Sequence, residues 1–198
     1  METAMSALTV DHEPHQGWDD LVRAWEQTDA PEGCKVEIIE GIVTVSPSPS
    51  WDHNSTASII QRRLFAVIPE EWHIFQTQEA AVPGRMGLYI PDLMVAAEED
   101  RPAPGDLFPA SRAKLVVEIT SRGNANHDRV AKLHGYAQAG VPLYLLLDAW
   151  HSGQPTATLY GEPEGGTYRM LQSVEYGGKL TLPPPFDLTI DTTEFPVS

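Results

Sequence analysis

Two apolar runs flank one amphipathic helix between residues 114 and 150, and they constrain the fold more than any other feature. KLVVEITS (114–121) carries Leu115, Val116 and Val117 in succession, and VPLYLLLDAW (141–150) is more apolar still. Strands that are this continuously apolar are buried on both faces, as in parallel pairs. DRVAKLHGYAQAG (128–140) has a helical pattern with Gly140 as its C-terminal cap and Val141-Pro142 beyond it. The three segments predict a β-α-β unit. Within the first run Glu118 is out of place. A buried carboxylate costs several kcal/mol unless it is paired or binds a metal.

The remaining segments fill out an α+β chain with an α/β core. GWDDLVRAWEQT (17–28) is a helix with Trp18, Leu21, Val22 and Trp25 on one face. KVEIIEGIVTVS (35–46) reads as two strands joined by a tight turn at Glu40-Gly41. PSPS (47–50) breaks the chain and caps a helix over 51–68, whose buried face is Ile59, Ile60, Leu64 and Val67. WHIFQTQ (72–78) and LYIPDLMVAA (88–97) are strands, and EEDRPAPGDLFPASR (98–112) is a surface loop. The tail from 156 reads as a β-meander. The 198 residues suit a single domain spanning 1–198, with 1–16 and 192–198 loose and no internal repeat.

Charge and cysteine narrow the function. The formal net charge is −15, which argues against a broad basic surface of the kind that grips nucleic acid non-specifically. It leaves room for a local basic cleft. Cys34 is the single cysteine, so neither a disulfide framework nor a cysteine zinc site is available. METAMSALTVDHEPHQ lacks the basic start and apolar stretch of a secretory signal. No apolar run approaches the ~18 residues of a membrane span. The expectation is a cytoplasmic protein without a membrane partner.

Three polar features, Glu118 among them, fall within the central elements. Asp92 follows Pro91, which suits a strand start or an edge. Glu118 shares a strand face with Val116 and Thr120 by alternation. Asp128, Lys132 and Tyr136 form one helical ridge beside an expected buried stripe of Val130, Leu133 and Ala137. Each has a plain alternative: an exposed turn, a solvated strand face, and a solvated salt bridge, respectively. Together, two carboxylates at the ends of adjacent strands can hold Mg²⁺ or Mn²⁺, with a lysine nearby to position water or stabilise phosphate charge.

EIIEG (37–41), SPSPSWDH (46–53), PDLMV (91–95), LVVEITS (115–121) and DRVAKLHGYAQAGVPLYLLLD (128–148) occur in the order found in one family. The chain resembles the Uma-two family of endonucleases, within the PD-(D/E)xK restriction-endonuclease-like superfamily. That resemblance implies a mixed β-sheet flanked by helices, Mg²⁺ (or Mn²⁺) as cofactor, and nucleic acid as partner. It implies Asp92 and Glu118 as metal ligands, with the Ile119 carbonyl a third. Thr120 stands where the superfamily lysine is usual, and Lys132 fits a lysine relocated to the following helix. Catalysis would then rest on Asp92, Glu118 and Lys132. Glu37 matches an acidic position on the first hairpin, His53 a family histidine facing the phosphate, and Tyr136 a supporting aromatic. Glu37 as a surface strand residue and His53 as a plain first-turn residue remain open. Asp128 more naturally orients Lys132 or Arg129 than binds metal. Arg62-Arg63 suit a solvated helix face or a nucleic-acid backbone. A homodimer is expected by analogy with the fold. The leading function is a Mg²⁺-dependent nuclease. The alternatives are a non-catalytic assembly or binding module, which the charge favours, and a hydrolase of a small phosphate ester or nucleotide.

Overall fold

The computed structural model describes residues 8–9, 17–121, 123 and 125–196. In chain order the elements are strand β1 (Leu8–Thr9), helix α1 (Trp18–Glu26), strands β2 (Lys35–Ile39) and β3 (Ile42–Ser46), and helix α2 (Trp51–Phe65). Strands β4 (Trp72–Phe75), β5 (Ala80–Val82), β6 (Gly87–Tyr89), β7 (Leu93–Ala97) and β8 (Leu115–Ile119) follow. A π-helical turn, His127–Lys132, runs directly into helix α3 (Leu133–Ala139). Strands β9 (Leu143–Asp148), β10 (Thr156–Glu164), β11 (Thr167–Glu175), β12 (Lys179–Leu182) and β13 (Leu188–Asp191) complete the chain.

The expected parallel pair is present: β8 and β9 run parallel, with Glu118 opposite Leu146. They lie at the centre of a six-stranded sheet ordered β11-β10-β9-β8-β7-β4, whose other pairings are antiparallel. Both faces are buried, which explains the continuous apolar runs. Leu115, Val117, Ile119, Leu145 and Leu147 pack against Ile60 and Leu64 of α2 and Leu180, Leu182 and Ile190 of the β12-β13 hairpin. Val116, Tyr144 and Leu146 face the opposite way, onto Ala131 and Tyr136. Each such fully buried Leu or Val contributes roughly 1.5–3 kcal/mol. A second, antiparallel sheet is ordered β1-β3-β2-β6-β5. Leu21 of α1 closes it by packing on Ile38, Val43 and Leu88. The β2-β3 turn places Glu40 at φ 50° and Gly41 at φ 84°, the left-handed geometry of a two-residue hairpin turn.

Several expectations change. Residues 88–97 are not one strand but two, β6 and β7, which belong to different sheets. Pro91 supplies no N–H, and the Ile90 N–H donates to the Glu37 carboxylate instead of a ladder partner. Ile90, Pro91 and Asp92 therefore form the passage between sheets. The 98–112 segment is less exposed than expected: Phe108 and Ala110 are buried, and the Phe108 carbonyl accepts from the Ala81 N–H of β5. The C-terminal end is anchored by buried Thr192 and Phe195 rather than loose from 192. Helix α2 ends at Phe65, three residues before the expected end. Of the segment expected to be loose at the start, Leu8–Thr9 pairs with β3; residues 1–7, 10–16, 197 and 198 lie outside the described residues. The expected meander is divided: β10 and β11 extend the large sheet, while β12 and β13 form a separate hairpin. Among the described residues no helix is long and apolar enough to cross a membrane.

Candidate active site

The seam between the two sheets collects charged side chains from five stretches of chain. β2 supplies Lys35 and Glu37, which share a face because strand side chains alternate. The Ile90–Asp92 passage supplies Asp92, and β8 supplies Glu118. The π turn carries Asp128 and Lys132, and α2 presents His53 one turn after its Ser50 cap. Ser50 Oγ accepts the His53 N–H at 3.2 Å, which fixes the start of the helix beside the site.

Lys132 is the hub. Its side chain is only 2% exposed, and its Nζ lies 2.8 Å from Glu37, 3.1 Å from Glu118 and 3.3 Å from Asp128. Glu37 also accepts the Ile90 N–H at 2.7 Å, and Glu118 accepts the Tyr136 hydroxyl at 3.0 Å. The Asp128–Lys132 contact is an ion pair without hydrogen-bond geometry. The π turn explains this placement. Its wider winding turns Val130 out to 54% exposure and brings Asp128, Ala131 and Lys132 inward. The expected buried stripe was therefore one residue off at Val130, and the ridge expected to be polar is the buried one. Single π turns of this kind occur often at functional sites.

Asp92 is the second node. One carboxylate oxygen pairs with Lys35. The other accepts the Ile119 N–H at 2.7 Å and lies 3.1 Å from His53 Nε2. Lys35 Nζ also donates to the Ile90 carbonyl at 3.2 Å. Thus the ammonium on Asp92 belongs to Lys35, while Lys132 serves Glu118.

Electrostatics follow from this arrangement. Burial raises Asp92, but Lys35 and then His53 outweigh it and hold the carboxyl below the usual carboxylate range. Burial lifts Glu118 well above that range, with Lys132 opposing and Asp128 and Asp92 adding to the rise. Burial likewise pushes Asp128 up to about 6, against the pull of Lys132. Burial lowers Lys132, but Glu118, Glu37 and Asp128 more than reverse this, so its ammonium is held well above the ordinary lysine value. Four buried carboxylates (Glu37, Asp92, Glu118, Asp128) thus face two ammonium groups, Lys35 and Lys132. With all four carboxyls ionised and the His53 ring neutral, the cluster would carry two negative charges in excess.

The cluster opens into a cleft of about 630 Å³, lined by Lys35, Glu37, His53, Asp92, Glu118 and Lys132 among others. Ser50, Asp52 and His53 bring the N-terminal end of α2 to its wall, where the positive end of the helix dipole favours an anion such as phosphate. Beside the cleft, Asp148 at the end of β9 takes both Arg129 Nε (2.7 Å) and Nη2 (2.8 Å), plus the Thr120 hydroxyl at 2.9 Å. This clamp ties the π turn to the sheet.

All the expected side chains therefore meet in one place: Asp92, Glu118, Lys132, Glu37, His53 and Tyr136, with Ile119 alongside. Glu37 is not a surface residue, and Asp128 lies against Lys132 as expected. Two residues were missed. Lys35 sits two positions before Glu37 in a strand, so alternation alone would have put it on the same face. Asp148 ends the apolar run LYLLLD, and is misplaced there in the same way as Glu118. Arg62 and Arg63 stay apart from the cluster, with Arg63 paired to Glu194 at 2.7 Å on the surface.

A mixed sheet flanked by helices, with carboxylates gathered at the strand ends beside a cleft, defines a restriction-endonuclease-like fold. A crystal structure of a putative nuclease of DUF820 from Anabaena variabilis has the same fold, with a TM-score of 0.65 at 17% identity over 90% of this chain and 96% of that one. The chain belongs to the Uma2 family, described as putative restriction endonucleases, whose model matches residues 18–193. No curated protein matches the chain significantly.

Proposed function

We propose that the protein is a divalent-cation-dependent nuclease that hydrolyses phosphodiester bonds of nucleic acid in this cleft. The observation that carries the reading is the cluster itself: four buried carboxylates, with only two ammonium groups among them, gathered at the strand ends and opening onto the cleft. Among the described residues no group of three or more Asp, Glu, His or Cys side chains is arranged around a common metal position. Mg²⁺ does not require one, because it binds through one or two carboxylates and completes its shell with water and substrate phosphate. The donor set is all oxygen, as a hard cation demands. Asp92 and Glu118 would hold the ion, with the Ile119 carbonyl as a further donor. When bound, the ion supplies an activated water and polarises the phosphate.

The chain's own residues do the rest. Lys132 holds Glu37, Glu118 and Asp128 in register and keeps three mutually repelling carboxylates together. Tyr136 fixes Glu118 from below through its hydroxyl. His53 and the Ile119 N–H orient Asp92, and the α2 N-terminus draws the phosphate. The relocated lysine thus supports one ligand directly, through Glu118.

The test is a cleavage panel of duplex DNA, single-stranded DNA and RNA with Mg²⁺ or Mn²⁺. The wild type is expected to cut at least one substrate, and Asp92→Ala, Glu118→Ala and Lys132→Ala to lose that activity. Metal binding without cleavage of any substrate would leave the second reading, a non-catalytic assembly or binding module. That reading is favoured by the net charge of −15, since a duplex-binding surface is normally basic. Variants that cut as well as wild type would remove these residues from the site.

A further inference from the structure

Lys35 does not fit the roles above. Like Lys132 it places an ammonium on a buried carboxylate, but it is far less enclosed. Its side chain is 23% exposed against 2% for Lys132, and it lines the cleft. Its partner is Asp92, and its remaining contact is one backbone carbonyl, Ile90 at 3.2 Å. Lys132, by contrast, is held by three carboxylates. The Lys35 ammonium is therefore the one charge in the cluster that can be withdrawn from its carboxylate without leaving a lysine sealed in the interior.

We propose that Lys35 is a displaceable counter-ion for Asp92: it occupies the carboxylate when no divalent ion is present and swings toward the cleft when one binds. The inference rests on the nuclease reading of the same cleft. The balance of charge supports it. Asp92 cannot accept an ammonium and a dication on one oxygen at full strength, because the two cations repel at contact distance. His53 and the Ile119 N–H hold the other oxygen, so the Lys35-bound oxygen is the one to be exchanged. Glu118 also acts on the Lys35 ammonium, so the lysine lies within the field of both proposed ligands. Once displaced, it remains at the first residue of β2, on the wall of the cleft, with its charge available to a phosphate oxygen. Lys35 is thus a positioning residue whose removal affects metal affinity before it affects chemistry.

The experiment titrates Mn²⁺ into the full-length wild type, Lys35→Met and Lys114→Met by calorimetry. Lys114 pairs with Asp100 outside the cleft and controls for a general loss of positive charge. Lys35→Met is expected to bind Mn²⁺ about tenfold more tightly than wild type, and Lys114→Met to match wild type. Mn²⁺ binding by Lys35→Met alone would also carry the inference. Equal or weaker binding by Lys35→Met overturns it and leaves the nuclease reading standing. No binding by either protein overturns both. A second measurement needs no variant. Acetylation of wild-type lysines by an amine-reactive ester, read by mass spectrometry, should accelerate severalfold at Lys35 on adding Mn²⁺ and stay unchanged at Lys114. An unchanged rate at Lys35 in the metal-bound protein refutes the displacement.

Discussion

Replacing Lys132 by Met removes the ammonium while keeping an unbranched apolar stem. The side chain is 2% exposed, and its Nζ has carboxylate oxygens at 2.8, 3.1 and 3.3 Å. Without it, Glu37, Glu118 and Asp128 are left buried with the Ile90 N–H and the Tyr136 hydroxyl as their neutral donors. Removing one partner of a buried ion pair costs about 3–5 kcal/mol. The carboxylates can avoid part of that cost by taking up protons. Burial already pushes Asp128 to about 6 and Glu118 well above its ordinary value, with Lys132 opposing both; losing Lys132 raises both further. A carboxyl whose folded value exceeds its unfolded value, about 4, binds more protons in the folded state. Its contribution to stability is therefore full below the unfolded value and falls as pH climbs through the folded one. In wild type that fall ends near the Asp128 value of about 6 for this group, whereas in the variant it continues to higher pH. The Lys132→Met penalty should thus be greater at pH 8 than at pH 5, by ~1.4 kcal/mol per pH unit for each carboxyl protonated only in the folded variant. Urea unfolding at the two pH values measures it. A penalty under ~1 kcal/mol at pH 8, against the expected size for a broken buried pair, or equal penalties at both pH values, refutes the buried hub.

Glu118→Gln should behave in the opposite way. The amide replaces a carboxyl whose charged form burial disfavours, so stability should change by less than ~1 kcal/mol while calorimetric Mn²⁺ binding is lost; retained binding removes Glu118 from the ligands. Asp148→Asn should weaken the Arg129 clamp, with bonds of 2.7 and 2.8 Å, and lower stability by about 2 kcal/mol; an unchanged urea midpoint would show the clamp to be idle. The Tyr89 hydroxyl is buried without a partner among the described residues, and a Cβ on Gly135 would stand 2.4 Å from it. Gly135→Ala should cost ~1–3 kcal/mol by overpacking. Tyr89→Phe alone should be neutral or stabilising, but the ring carbons Cε2 and Cζ also stand 2.6 and 2.9 Å from that Cβ, so the double variant should keep most of the Gly135→Ala penalty; a double variant as stable as Tyr89→Phe alone would contradict the ring clash.

Which parts of the site could be read in the sequence depends on what each residue interrupts. Glu118 and Asp92 were visible because each breaks an apolar run, and a carboxylate inside such a run demands a reason. The parallel β8-β9 pair was visible for the same reason, since burial on both faces removes alternation. Lys35 breaks nothing. A lysine at the head of a hairpin strand, two residues from a glutamate, is what a solvated strand face also looks like. It is half-buried because the Ile90–Asp92 passage, more than fifty residues away, folds across it. That passage was hidden in turn, because LYIPDLMVAA is apolar on both sides of Pro91 and hydropathy carries no label for the sheet to which a strand belongs. The π turn misled the reading differently. A period of 3.6 places Val130 inside, and the wider turn exposes it and buries Lys132. Two of the four carboxylates, Asp92 and Glu118, are thus encoded locally as violations, whereas the two lysines acquire their meaning from contacts between distant segments. This difference bears on the chemistry. Lys132, enclosed by one helix and two strands, behaves as structure. Lys35, covered by a single crossing segment and open to the cleft, is the charge that a bound ion can move.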